Sequence, residues 1–165
     1  MNVLNLVLIS VVNFLFLVFS NSLHLRRDRL RHEYRIDSAG TYSVFRETVS
    51  NRDFPEKSVV LVVGFELKFI DSIEFFHWIF QKLCIVTTPF WSGFPGFKIK
   101  LWMVDTKAYK YLGIYEWQGR QNAQTYADAL IKILSPLSTP MSVWHKIITN
   151  QSLEEYLRAN RKRVP

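Results

Sequence analysis

The stretch FKIKLWMVDTKAYKYLGIYEW, residues 97–117, decides the fold. Two β-prone runs, 97–105 and 109–117, flank a connection of three residues, Thr106 to Ala108. Three residues cannot hold a crossover helix, so the runs pair as an antiparallel hairpin and a doubly wound parallel sheet is excluded. Upstream, SVVLVVGFELKF (58–69) is β-branched and apolar, a buried strand. Asp71 with Glu74 forms a capping box for a helix over 72–85, where Ile73, Phe76, His77, Phe80, Leu83 and Cys84 recur at helical spacing. TTPFWSGFPG (87–96) then reads as a loop. Downstream, an amphipathic helix over 120–135 ends at Pro136, and a strand follows at 141–148. Ser152 and Glu155 cap a short last helix. The order β-α-β-β-α-β predicts an α+β, ferredoxin-like domain over 58–150, with a four-stranded antiparallel sheet and two helices on one face.

The N-terminal side differs in character. Residues 3–19 (VLNLVLISVVNFLFLVF) are apolar and uncharged, and a helix of that length just reaches across a hydrocarbon core about 30 Å thick. Five arginines crowd into 26–35, so a membrane anchor is expected, with the domain on the cytoplasmic side. Arg26, Arg27, Arg29 and Arg31 would then face anionic headgroups. A cleaved signal peptide, or a helix packed on a cytoplasmic domain, are the alternatives. Residues 1–22 are thus read as an apolar helix and 23–57 as a basic linker, with a possible extra strand in TYSVFRETV (41–49). Residues 151–165 are read as a short helix and basic tail.

Composition narrows the function classes. The chain has 165 residues, 48% of them hydrophobic and 15% aromatic, which excludes a disordered protein. Cys84 is the single cysteine, which excludes a disulfide scaffold and a paired-cysteine zinc site, and no metal site is expected. Nine of the 21 cations lie in 26–35 and 158–163. The net charge of +7 therefore belongs to two flanks, and no nucleic-acid partner is expected.

Both faces of the sheet carry large apolar side chains. Val59, Leu61 and Val63 alternate with Val60 and Val62; Tyr111, Tyr115 and Trp117 alternate with Leu112 and Ile114. Two helices cover one face only, so a second copy is expected on the other, giving a homodimer packed sheet to sheet.

Over residues 58–150 the chain resembles the dimeric α+β barrel superfamily. The resemblance rests on Pro95-Gly96-Phe97 leading into the second strand, Tyr115-Glu116-Trp117 ending the third, and Tyr126-Ala127 in an alanine-rich helix. Within it, the chain is similar to monooxygenases of the YdhR type and, more distantly, to antibiotic-biosynthesis monooxygenases. The resemblance implies a ligand cavity between sheet and helices. It also implies an oxygenation that needs no cofactor, with a haem-binding protein as one alternative and a non-catalytic, membrane-tethered dimeric scaffold as another.

Candidate site residues follow. His77 and His145 are the candidate proton-transfer groups. Phe90, Trp91 and Phe94 sit in the loop 87–96, read either as a lid or as a segment tucked against a partner. Those three, with Trp102, Tyr115, Trp117 and Tyr126, could line a pocket for a small hydrophobic or aromatic molecule. Ordinary core packing is the competing reading for every one of them. Cys84 reads as a small buried hydrophobe.

Overall fold

The computed structural model describes residues 3–36, 40–52, 57–68 and 74–161, without the side chains of 3–7, 74–77, 85, 86, 89 and 90. The decisive hairpin is present: β5 (Phe97–Asp105) pairs antiparallel with β6 (Lys110–Gln118). Asp105 closes the turn, its carboxylate accepting from the amides of Lys107 at 2.9 Å and Ala108 at 3.1 Å. β6 pairs in turn with β4 (Ser58–Glu66), and β4 with β7 (Trp144–Ile148). The order β5-β6-β4-β7 is the expected ferredoxin-like arrangement. Helices α2 (Glu74–Val86) and α4 (Arg120–Leu134) connect it. The Asp71 cap expected for α2 lies outside the described residues.

The sheet is wider than the sequence predicts. The stretch read as a linker folds into β1 (Leu23–Arg26), β2 (Glu33–Ile36) and β3 (Gly40–Ser50), which complete a seven-stranded sheet. β3 pairs along β5, while β1 and β2 lie end to end on the far side of β3. The gain is physical: β5 would otherwise be a long open edge with unpaired amides and carbonyls. The TYSVFRETV run had the alternation for this strand, and its flanking turn formers obscured the other two.

The loop expected at 87–96 contains a short helix, α3 (Thr88–Ser92). Trp91 and Phe94 are buried and meet Tyr126 edge to face, at 5.7 and 5.3 Å between ring centroids. The segment is therefore packed on α4 of its own chain.

Helix α1 (Val3–Phe19) docks on that same segment. The Asn13 side-chain amide donates to the Gly93 carbonyl at 3.0 Å. A Cβ at Gly93 would lie 1.7 Å from the Ser10 carbonyl oxygen, so only glycine permits the approach. Among the described residues, no helix is long and apolar enough to cross a membrane.

The second sheet face is covered by the chain itself. Helix α5 (Leu153–Asn160) buries Leu153, Tyr156 and Leu157 in a cluster with Val60, Val62, Leu101, Met103, Leu112 and Ile114. The apolar residues that suggested a second copy thus find cover within one chain, and their burial requires no partner. The capping box at Ser152 and Glu155 is formed, the Ser152 oxygen accepting from the Glu155 amide at 3.2 Å. Arg29 ties this helix down, pairing with both Glu47 of β3 and Glu154 of α5. It is an internal contact of the fold, whereas Arg26, Arg27 and Arg31 are exposed.

Glu47 has no exposed side-chain surface and Glu154 is 64% exposed, which separates the two pairs energetically. Arg29→Met leaves a buried carboxylate unpaired and is expected to cost about 3 kcal/mol in urea unfolding. Glu154→Gln breaks only the exposed pair and is expected to cost under about 1 kcal/mol.

Candidate functional site

On the helix face the sheet and helices do not close completely. A cavity of about 160 Å³ lies between them. Its floor is Lys100 and Trp102 of β5 with Tyr111, Gly113 and Tyr115 of β6; its roof includes Phe80 and Cys84 of α2, Trp91 of α3 and Leu130 of α4. Leu83 and Leu137, 53% and 55% exposed, border it and mark its mouth. A cavity near 150 Å³ holds one benzene-sized molecule, so the space suits a single ring.

The register explains how a lysine comes to stand on this floor. A bulge between Phe97 and Ile99 shifts the pairing, placing Lys100 opposite Tyr115 and Leu101 opposite Ile114. Leu101 then faces the α5 side, and Lys100 the helix side with the tyrosines. Lys100 is only 3% exposed. Its ammonium nitrogen lies 3.1 Å from the centroid of the Trp102 ring, 4.8 Å from Tyr115 and 5.1 Å from Trp91. Among the described residues it has no ion pair and no hydrogen-bond acceptor.

Two opposing effects set the charge of Lys100. Aromatic faces attract a cation by about 2 kcal/mol when it is desolvated. Taking an ammonium out of water costs several kcal/mol. Desolvation wins: burial holds the Lys100 amine well below the usual lysine range against the raising pull of Cys84, and the Arg46 guanidinium adds a smaller repulsion. Burial also pushes the Cys84 thiol up to about 11, against the lowering pull of Lys100 and Arg46. Burial raises the Tyr115 phenol as well. At neutral pH the cavity therefore holds a neutral thiol and neutral phenols beside a lysine whose charged form burial disfavours. The indole N–H of Trp102 is buried with no hydrogen-bond partner, an omission that costs about 1–3 kcal/mol unless a ligand oxygen supplies the acceptor.

The structure brings together three of the aromatic residues singled out from sequence, Trp91, Trp102 and Tyr115. Phe94, Trp117 and Tyr126 instead form the stacked core behind them, with Trp117 and Tyr126 centroids 4.5 Å apart. Phe90 and His77 have side chains outside the described residues. His145 is exposed on β7, opposite Val63, and does not border the cavity. Sequence reasoning missed Lys100 because a strand lysine usually marks a solvated position. Its even-numbered companions Trp102 and Val104, both large and apolar, were the available signal. Among the described residues no group of side chains could hold a metal ion. Haem fits poorly, since the space is of single-ring size and no described histidine borders it.

No protein-family model and no curated protein matches the sequence. Solved structures do. One is a major regulator of staphylococcal pathogenesis, 14% identical with a TM-score of 0.48, covering 82% of this chain and 89% of that one. Another is a Fusobacterium nucleatum protein provisionally called a monooxygenase, 8% identical with a TM-score of 0.46; 75% of this chain matches 57% of that one. A third is a ferredoxin-fold protein of Listeria monocytogenes related to antibiotic biosynthesis monooxygenases, 14% identical with a TM-score of 0.46, covering 85% and 89%. At these identities no activity is carried over from them.

The buried amine has a signature in stability. Its depressed folded-state pKa means that the unfolded chain binds more protons at every pH between the folded and unfolded values, so stability attributable to Lys100 rises through that window as pH climbs toward 10.5. Lys100→Met removes that dependence. The variant is expected to be more stable than the parent at pH 7 by urea unfolding, and the margin to shrink by pH 9.

Proposed function

We propose that this protein binds a small hydrophobic molecule carrying one aromatic ring in the cavity between helices and sheet. The observation that carries the reading is the cavity itself: its volume suits one ring, its walls are aromatic, and its polar groups are few and specifically placed. That combination of apolar lining with a few orienting groups is what small-molecule sites share. Edge and face contacts with Tyr111, Tyr115 and Trp102 would hold a ring by stacking, each pair contributing about 0.5–1.5 kcal/mol beyond burial.

A second reading concerns location, and α1 favours it. The face of α1 away from the domain presents Leu8, Val12, Phe16 and Phe19, all exposed and spaced as one helical stripe. The exposed Arg26 and Arg27 follow, and the Arg52 guanidinium sits 5.4 Å over the Phe16 ring. We infer that α1 lies in the plane of an anionic lipid surface while still docked on the domain. A helix in that attitude needs a broad apolar face and flanking cations, and it does not need the length of a span.

Two measurements test these readings. Titration with toluene is expected to give a saturable change in tryptophan fluorescence, because Trp91 and Trp102 border the cavity. Ile133→Trp, which fills the space, is expected to weaken it at least about tenfold, or about 1.4 kcal/mol. No saturable change would reject the first reading. For the second, the protein is expected to sediment with phosphatidylcholine vesicles containing phosphatidylglycerol. Reversing Arg26 and Arg27 to Glu should weaken that binding by about 30-fold or more, at about 1 kcal/mol per cation removed. Equal sedimentation of parent and variant would reject it.

A further inference from the structure

We propose that Lys100 is a covalent site for aromatic aldehydes, forming an imine with a single-ring carbonyl compound seated in the cavity. The proposal rests on the cavity being a binding site for one ring, and it names the functional group that this ring should carry.

Three placements converge on it. The Lys100 nitrogen projects over the face of Trp102, within a cavity whose volume leaves room for one ring beside it. No carboxylate among the described residues neutralises or occupies the amine, so it is not committed to a structural ion pair. The indole N–H of the same Trp102 is buried and without an acceptor. A carbonyl group fits both vacant functions at once. Its oxygen accepts from the indole N–H, which polarises the C=O bond, and its carbon becomes the electrophile for the amine.

The chemistry closes without a further reagent. The lone pair of the neutral Lys100 nitrogen forms a bond to the carbonyl carbon, and the C=O π pair moves to oxygen. The two protons originally on nitrogen and that oxygen then leave together as water, so that a C=N bond remains. The reverse step needs only water. A lysine desolvated in an apolar pocket is a nucleophile of this kind. Other groups facing Lys100 leave it free to react. Cys84 on α2 and the Tyr115 phenol on β6 are held neutral by burial, and Arg46 on β3 repels a proton from the amine.

The selectivity expected is large. A solvent-exposed lysine with a pKa near about 10.4 has roughly one amine in 10⁴ free at pH 6.5, and burial gives Lys100 a larger free share than that. The experiment treats the full chain with benzaldehyde and sodium cyanoborohydride at pH 6.5, and reads intact mass and peptide map. One benzyl group per chain, on Lys100, is expected. Its formation should be competed by toluene, absent in Lys100→Met and Lys100→Arg, and less steeply dependent on pH between 6.5 and 8 than labelling of the surface lysines. The peptide map of the unmutated chain decides the matter even if a variant fails to fold. If toluene binds but Lys100 stays unlabelled, or the label spreads over surface lysines and rises about tenfold per pH unit, the proposal is overturned while the cavity reading stands. If toluene does not bind and Lys100 is unlabelled, both fall.

Discussion

An antiparallel sheet with apolar side chains on both faces has to be closed twice, and the rest of this molecule is arranged around that requirement. One closure comes from α2, α3 and α4, the helices of a ferredoxin-like domain. The other comes from α5 with Tyr34 and Ile36 of β2. Each of Leu153, Tyr156 and Leu157 removes about 1.5–3 kcal/mol worth of apolar surface from water, enough to hold a helix too short to be stable alone. The Arg29 bridge then fixes where that helix sits, joining residues 125 positions apart.

The two closures differ in quality, and the difference makes the site. On the α5 side the buried side chains are mostly aliphatic, with Tyr34, Tyr42 and Tyr156 among them. On the helix side the layer is built from large rings, and rings leave gaps where they meet at steep angles. Phe80 lies against Tyr111 at 59° and against Phe65 at 71°. The space beyond them remains open, and Lys100 stands in it. A lysine there costs stability, since an aliphatic residue of similar length would bury without penalty.

Much of the domain was legible because its signals are local. The three-residue connection forced the hairpin, Ser152 with Glu155 marked α5, and periodicity marked α4. What was not legible depends on pairing at a distance. β1 and β2 are four residues each, two apolar and two polar with one arginine apiece, too short for their own composition to distinguish them from a linker; only β3 makes them strands. The polar pattern of β5 was misleading for a related reason. Whether Lys100 faces water or the helices is set by one bulge and by the strand across from it, neither of which its neighbours in sequence reveal. The apolar second face was read as needing cover; α5 supplies cover from within the chain, which was not legible because α5 declares its cap more clearly than its destination.

The position of α5 in the chain has a kinetic consequence. It is synthesised after every strand whose face it covers, and β3 must wait for β5, more than fifty residues further on, before it has a partner on that side. Native contacts in this protein therefore join distant parts of the sequence, the pattern that slows folding and prolongs exposure of sticky surface. During synthesis the nascent sheet presents Val60, Val62, Leu101 and Ile114 uncovered until the capping turn at Ser152 has formed. The Arg29–Glu154 pair can form only once α5 has been made, because its partners lie 125 residues apart.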